Sequence, residues 1–230
     1  MHGRWSGLVG LALVVAALLG PAPPVVADSL ATTSTYFIAR RDFRRCVSPL
    51  CGGLYVKRLN QASTTCNDGV SRSECYVPGI AVGRITADAD EKSYLEARVA
   101  SGFAIVRGTI AAKNYAGYGN LGVLKVTEAW DGATDAAPSG RAYLVNDSGI
   151  RCATTPCMSF HTAALNTTTS GNITDLVLEN VVNVSQEAID GAYEDLATGK
   201  ILVAGTTTAS RGRVTLQALA FYRLFHARVP

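Results

Sequence analysis

The sequence predicts an α+β fold: a duplicated ββ-β-α-ββ unit, mostly antiparallel sheet with one helix per repeat, stapled by disulfides. Three observations carry that expectation. Blocks of sequence recur in the same order in both halves of the chain. The cysteines gather in short loops. Strand-like alternation gives way once in each half to a helical stripe.

The elements follow in chain order. His2 and Arg4 precede an unbroken apolar stretch from Leu8 to Leu19, after which come Gly20-Pro21 and the small residues of Val25-Val26-Ala27. Charge, apolar core and small residues in that order make a secretory signal, cleaved after Ala27. The apolar core is too short to cross a bilayer, which needs roughly 20 residues. Residues 1–27 are therefore expected to be a signal peptide, with no membrane span left after cleavage. Residues 28–131 are the first repeat, 132–139 a linker loop and 140–230 the second repeat.

The repeat shows first around the cysteines. Arg45-Cys46-Val47-Ser48-Pro49-Leu50-Cys51 corresponds to Arg151-Cys152-Ala153-Thr154-Thr155-Pro156-Cys157, and Leu59-Asn60 to Leu165-Asn166, all at an offset of 106. Upstream, Tyr36-Phe37-Ile38 matches Tyr143-Leu144-Val145. Downstream, the segment from Gly102 to Gly108 matches that from Gly199 to Gly205 at an offset of 97. Each of those segments follows a helical pattern. Leu95 and Val99 lie four apart in the first, and Ile189, Ala192, Tyr193 and Leu196 form a stripe in the second. Ser185 is an expected N-cap, Glu187 faces the helix dipole, and Gly102 and Gly199 stand at the C-terminal ends. Alternating strands from Leu121 to Trp130 and from Val214 to Leu224 close the two halves.

Six cysteines remain after export: Cys46, Cys51, Cys66, Cys75, Cys152 and Cys157. An even count in an exported chain reads as a disulfide framework, though spacing alone leaves the pairing open. The repeat narrows it. Cys152 and Cys157 are the only cysteines of the second half, so they pair with each other. By correspondence Cys46 pairs with Cys51, leaving Cys66 with Cys75 around the turn Asn67-Asp68-Gly69. A zinc site of four thiolates is the rival, and the oxidising compartment argues against it.

The Cys51-Gly52-Gly53-Leu54-Tyr55-Val56 and Cys75-Tyr76-Val77 elements, with Asn60 and Cys66-Asn67-Asp68-Gly69 between them, resemble an uncharacterised family of exported bacterial proteins. That family is abundant in myxobacteria and is classed as a domain of unknown function. The resemblance implies a bacterial source and a secreted or periplasmic location. It brings no activity. Four Asn-x-Ser/Thr sequons, at Asn146, Asn166, Asn172 and Asn183, are in that setting accidents of a Thr-rich composition.

Chemistry is sparsely marked. Loss of Arg4 leaves 20 basic against 18 acidic residues, a net charge of +2 that argues for neither a nucleic-acid partner nor an anionic membrane. No nucleophile elbow, zinc-protease helix or phosphate loop is present, so no cofactor, metal or catalytic residue is assigned. His161 is expected to be a packed or edge-exposed strand residue. Glu128, Asp131 and Asp135 read as a solvated loop, and Asp88, Asp90 and Glu91 as the charged start of a helix. The densest charge feature is Arg40-Arg41-Asp42-Phe43-Arg44-Arg45. There Arg45, like Arg151, is expected to bond loop carbonyls. Arg40, Arg41 and Arg44 make either a solvated strand face or an anion-binding site. The functional expectation is a non-enzymatic exported module that binds an extracellular or envelope component. The alternative is a small secreted hydrolase using acidic residues, or His161 with Ser159.

Overall fold

The computed structural model describes residues 35–226. The signal peptide and its cleavage site lie outside the described residues. Each of two helices is capped at its N-terminus by a side-chain oxygen. Asp88 caps α1 (Ala89–Ala100), its carboxylate accepting from the Asp90 and Glu91 backbone N–H groups at 2.9 Å. Ser185 caps α2 (Gln186–Thr198), accepting from the Ala188 N–H. α1 buries Leu95 and Val99, and α2 buries Ile189, Gly191, Ala192 and Leu196. Gly102 ends the first helix in the left-handed conformation at φ 77°, whereas Gly199 has an extended φ of −166° that any residue could adopt.

Among the described residues all other regular structure is strand. In chain order the strands are β1 (Thr35–Arg41), β2 (Leu54–Arg58), β3 (Thr64–Thr65), β4 (Ser71–Arg72), β5 (Cys75–Val77), β6 (Ile80–Ala81), β7 (Ala104–Ala111), β8 (Asn114–Tyr115), β9 (Gly119–Asn120) and β10 (Val123–Gly132). They continue with β11 (Arg141–Asp147), β12 (Phe160–Ala164), β13 (Ser170–Ile173), β14 (Asp175–Val177), β15 (Lys200–Ser210) and β16 (Arg213–Leu224). β3 pairs with β4 and β8 with β9 as small hairpins, and the rest form one sheet in the order β13-β12-β11-β15-β16-β10-β7-β1-β2-β5. Its pairings are antiparallel except where β6 joins β10 and β14 joins β16.

The structure corrects the expected fold class. Among the described residues the fold is mostly β, with two helices laid on one large sheet, and not an α+β assembly of two copied units. The overturning feature is the continuity of the ladder. β10 pairs with β16 through Trp130↔Leu224, Asp131↔Arg223 and Gly132↔Tyr222, so backbone hydrogen bonds run unbroken from one half of the chain into the other. Local periodicity sees each strand but not the seam that joins them.

Side-chain alternation sorts the core into three layers. Ala104 and Val106 point toward Leu95 and Val99 of α1. Ile201 and Val203 point toward Ile189, Ala192 and Leu196 of α2. Ile105, Leu202 and Ala204 point the other way, into a central cluster with Trp130, Tyr222, Leu59 and Leu165. The sheet therefore folds over at the β10–β16 seam. Its inner faces meet in the central cluster, and each outer face carries one helix. The described residues belong to one compact unit.

Three disulfides join Cys46 to Cys51, Cys66 to Cys75 and Cys152 to Cys157. Each lies in a loop bearing an aspartate–arginine pair: Asp42–Arg44, Asp68–Arg72 and Asp147–Arg151.

Candidate functional site

β1 ends at Arg41 and β2 begins at Leu54, and the loop between them is pinned from within. Asp42 is buried, and its carboxylate accepts from the Arg44 backbone N–H at 3.0 Å and from Arg44 Nη2 at 2.9 Å. These bonds hold the Asp42 carboxyl below the usual carboxylate range. Arg44 Nη2 also donates to the Leu50 carbonyl at 3.0 Å, so Arg44, and not Arg45, bonds the carbonyl of this loop. In the later loop Arg151 does bond the Ile150 carbonyl, at 3.0 Å. The Asp42 N–H reaches the Gly53 carbonyl at 2.9 Å and closes the neck. Tyr76 of β5 donates its hydroxyl to the Pro49 carbonyl at 2.8 Å, and the Cys46–Cys51 disulfide closes the turn.

Arginine and tyrosine interleave beneath this loop. The β1–β2–β5 register sets Arg40 opposite Tyr55 and Tyr55 opposite Tyr76. The Arg40 guanidinium lies 4.4 Å from the Tyr55 ring centre, and that of Arg44 lies 5.2 Å from the Tyr76 ring. The two rings meet edge-on at 5.7 Å, and Glu74 pairs with Arg40 at 2.6 Å. Arg40 and Arg44 are thus joined through aromatic faces, each with its own carboxylate. Arg41 is exposed and lines a separate cavity of about 280 Å³ that Gly53, Pro78 and Glu96 also line. The three arginines do not converge on a single anion cradle.

The loop instead presents apolar surface. Phe43 is 83% exposed, Val47 67% and Leu50 45%, all within a few residues of Arg41, Arg44 and Arg45. Phe43 is the most exposed large apolar residue among the described ones and shares its loop with two more, while Val182 and Leu219 are bare elsewhere.

The remaining candidate residues lie elsewhere. His161 sits on β12, its Nδ1 2.9 Å from the Asn172 side-chain oxygen of β13, while Ser159 donates its hydroxyl to the Cys157 carbonyl. The pair is not hydrogen-bonded as nucleophile and base. Glu128 pairs with Arg107 at 2.7 Å. Asp131 and Asp135 both bind Arg98, and Asp131 also accepts from the Tyr94 hydroxyl at 2.6 Å. Burial and that carboxylate push the Tyr94 phenol up to about 12. Asp90, Glu91 and Asp131 nevertheless share the wall of one cavity of about 400 Å³ with Tyr94, Phe225 and His226. Two acidic groups that read as separate in the sequence meet there, but both Asp131 oxygens already accept hydrogen bonds, one from the Arg98 guanidinium and one from the Tyr94 hydroxyl.

A family model described as a domain of unknown function, DUF6748, matches residues 35–223. The chain belongs to that family. No curated protein and no solved structure matches the chain. The DUF6748 match runs from the first strand to the last, so the cysteine loop and its arginine–tyrosine ladder lie inside the family's domain. The roles of Tyr55, Tyr76 and Glu74 were invisible in the sequence, where Glu74 stands far along the chain from Arg40. The exposure of Phe43 was equally hidden, although its isolation among charges was a usable signal.

Proposed function

We propose that this protein is an exported, non-enzymatic binding module whose recognition element is the first cysteine loop, residues 42–51. The observation that carries the reading is the exposure of Phe43, Val47 and Leu50 on a loop held rigid by the Asp42–Arg44 pair, the Tyr76–Pro49 bond and a disulfide. A rigid loop loses little conformational entropy on binding, so its apolar contacts translate into affinity. The signal pattern at residues 1–27 and three disulfides compatible with an oxidising environment support a secreted or periplasmic location. The family resemblance supports a bacterial source.

A photo-reactive amino acid in place of Phe43, compared with one in place of Tyr118, tests the site. Tyr118 is also exposed, at 41%, but lies outside the loop. In cells of the native host, irradiation is expected to give discrete adducts from position 43 and only background from position 118. Equal labelling from both positions would remove the loop from recognition.

A further inference from the structure

We infer that the partner of this loop is an anionic lipid surface, which the loop enters with Phe43, Val47 and Leu50 while the surrounding arginines hold the headgroup phosphates. The inference rests on the loop being the recognition element and names what it recognises.

Shape is the first argument. At 83% exposure Phe43 touches almost nothing of its own fold, so it cannot be one wall of a pocket for a peptide side chain. It projects with Val47 and Leu50 from a closed turn. Apolar side chains on a projecting turn suit the headgroup–acyl boundary, a layer roughly 5–10 Å deep, where their surface leaves water without needing a complementary partner.

Charge is the second, and it is independent of shape. Between Ser29 and Asn67 the chain carries Arg40, Arg41, Arg44, Arg45, Lys57 and Arg58 and a single acid, Asp42. Asp42 is buried and turned to Arg44, so it presents no charge to a facing membrane. Glu74 answers Arg40. Arg45, between Phe43 and Val47, has no ion-pair partner among the described residues, and neither has Arg41, which shares a cavity with Glu96 at the base of the loop. Guanidinium groups bind phosphate in a forked geometry and remain charged at any working pH. The same hairpin that exposes the apolar residues therefore carries an uncompensated positive field.

The test uses the exported, disulfide-bonded chain and sedimentation with vesicles of phosphatidylcholine, alone or with about 30% phosphatidylglycerol. Binding is expected to be at least about tenfold tighter on the anionic vesicles and to weaken as salt rises. Phe43→Ser and, separately, the pair Arg41→Gln with Arg45→Gln should each reduce it about tenfold. These side chains are exposed, so an unchanged melting temperature shows that the variants are folded. Phe43→Trp adds a direct readout, an emission blue-shift on anionic vesicles that brominated lipid quenches. Equal binding to both vesicle types, or anionic binding that Phe43→Ser leaves intact, overturns the inference. If position 43 crosslinks to an acidic protein in cells while vesicles go unbound, the loop remains the recognition element and the lipid assignment fails.

Discussion

Asn60 and Asn166 clasp the folded sheet shut by reaching reciprocally into each other's surroundings. The Asn60 carboxamide donates to the carbonyls of Ala142 and Leu165, at 2.6 and 3.0 Å, and accepts from the Ala142 N–H at 2.9 Å. Asn166 donates to the carbonyls of Tyr36 and Leu59, at 2.7 and 2.9 Å, and accepts from the Tyr36 N–H at 2.9 Å. Both sit in the left-handed region, at φ 56° and 57°, where asparagine is better tolerated than most residues. The leucines just before them, Leu59 and Leu165, are buried in the central cluster.

Removing either side chain should open the clasp. Asn60→Ala and Asn166→Ala each orphan half-buried backbone groups and place alanine at an unfavourable φ, so each is expected to cost about 2–4 kcal/mol in urea unfolding. Asn60→Gly loses the same bonds without the φ penalty and should be milder than alanine by about 0.5–1 kcal/mol. The double alanine variant should lose less than the sum, because the first break already loosens the second. Strictly additive losses below about 0.5 kcal/mol would show that the clasp holds nothing together.

Gly205 makes a sharper structural demand. β15 shifts register against β16 between Ala204 and Gly205, and a β-carbon at Gly205 would overlap the backbone carbonyl oxygen of Gln217. Gly205→Ala must push two central strands apart and is expected to cost more than about 2 kcal/mol. Gly191 provides the contrast. There an added β-carbon would meet the guanidinium end of Arg223, which can swing aside, and alanine favours the helix by up to about 1 kcal/mol. Gly191→Ala should therefore be neutral or stabilising, and a reversed order of the two variants would discredit the register.

Much of this was legible locally. The helix stripe through Leu95 and Val99 and the strand from Val214 to Leu224 could be read because periodicity is a short-range property. The recurrence of Leu59-Asn60 at Leu165-Asn166 was legible too, but not what the asparagines do. Their partners at Tyr36 and Ala142 are chosen by how the sheet folds over. The seam Trp130–Gly132 against Tyr222–Leu224 escaped for the same reason, since nothing in either segment names its neighbour. At the candidate site the arginines were readable and their aromatic partners were not. Tyr55 and Tyr76 come under Arg40 and Arg44 only through the β1–β2–β5 register.

The central cluster contains a testable imperfection. Tyr222 is fully buried, and its hydroxyl finds no hydrogen-bond partner among the described residues. Burial pushes its phenol well above the usual value. Tyr222→Phe removes the hydroxyl and keeps the ring, so the change should be neutral or stabilising by up to about 1 kcal/mol. Trp130→Ala in the same cluster should cost about 3–5 kcal/mol. A loss above about 1 kcal/mol for Tyr222→Phe would mean that the hydroxyl is bonded in solution.

Acid should loosen the cysteine loops before it unfolds the core. Arg44 bonds hold the Asp42 carboxyl below its ordinary 3.8. Arg72 and Arg151, through side-chain hydrogen bonds, hold Asp68 and Asp147 at about 2. A carboxyl depressed in the folded state favours folding by an amount that is complete above the ordinary value and vanishes as pH falls through the folded value. The stabilisation is therefore intact at neutral pH and lost from about pH 4 downward, reaching zero near and below 2 for Asp68 and Asp147. Asp68 and Asp147 are solvated, so their share is local to the loops and small in the global melt. Asp42 differs in being buried beneath the loop that carries Phe43. Carboxyl-detected NMR titration should place the Asp42 midpoint below 3.8, and Arg44→Gln should move it upward. The backbone amide of Arg44, which donates to that carboxylate at 3.0 Å, should lose its hydrogen-bonded shift over the same pH interval. An Asp42 midpoint at or above 3.8, or one that Arg44→Gln leaves in place, would show that another group holds the loop.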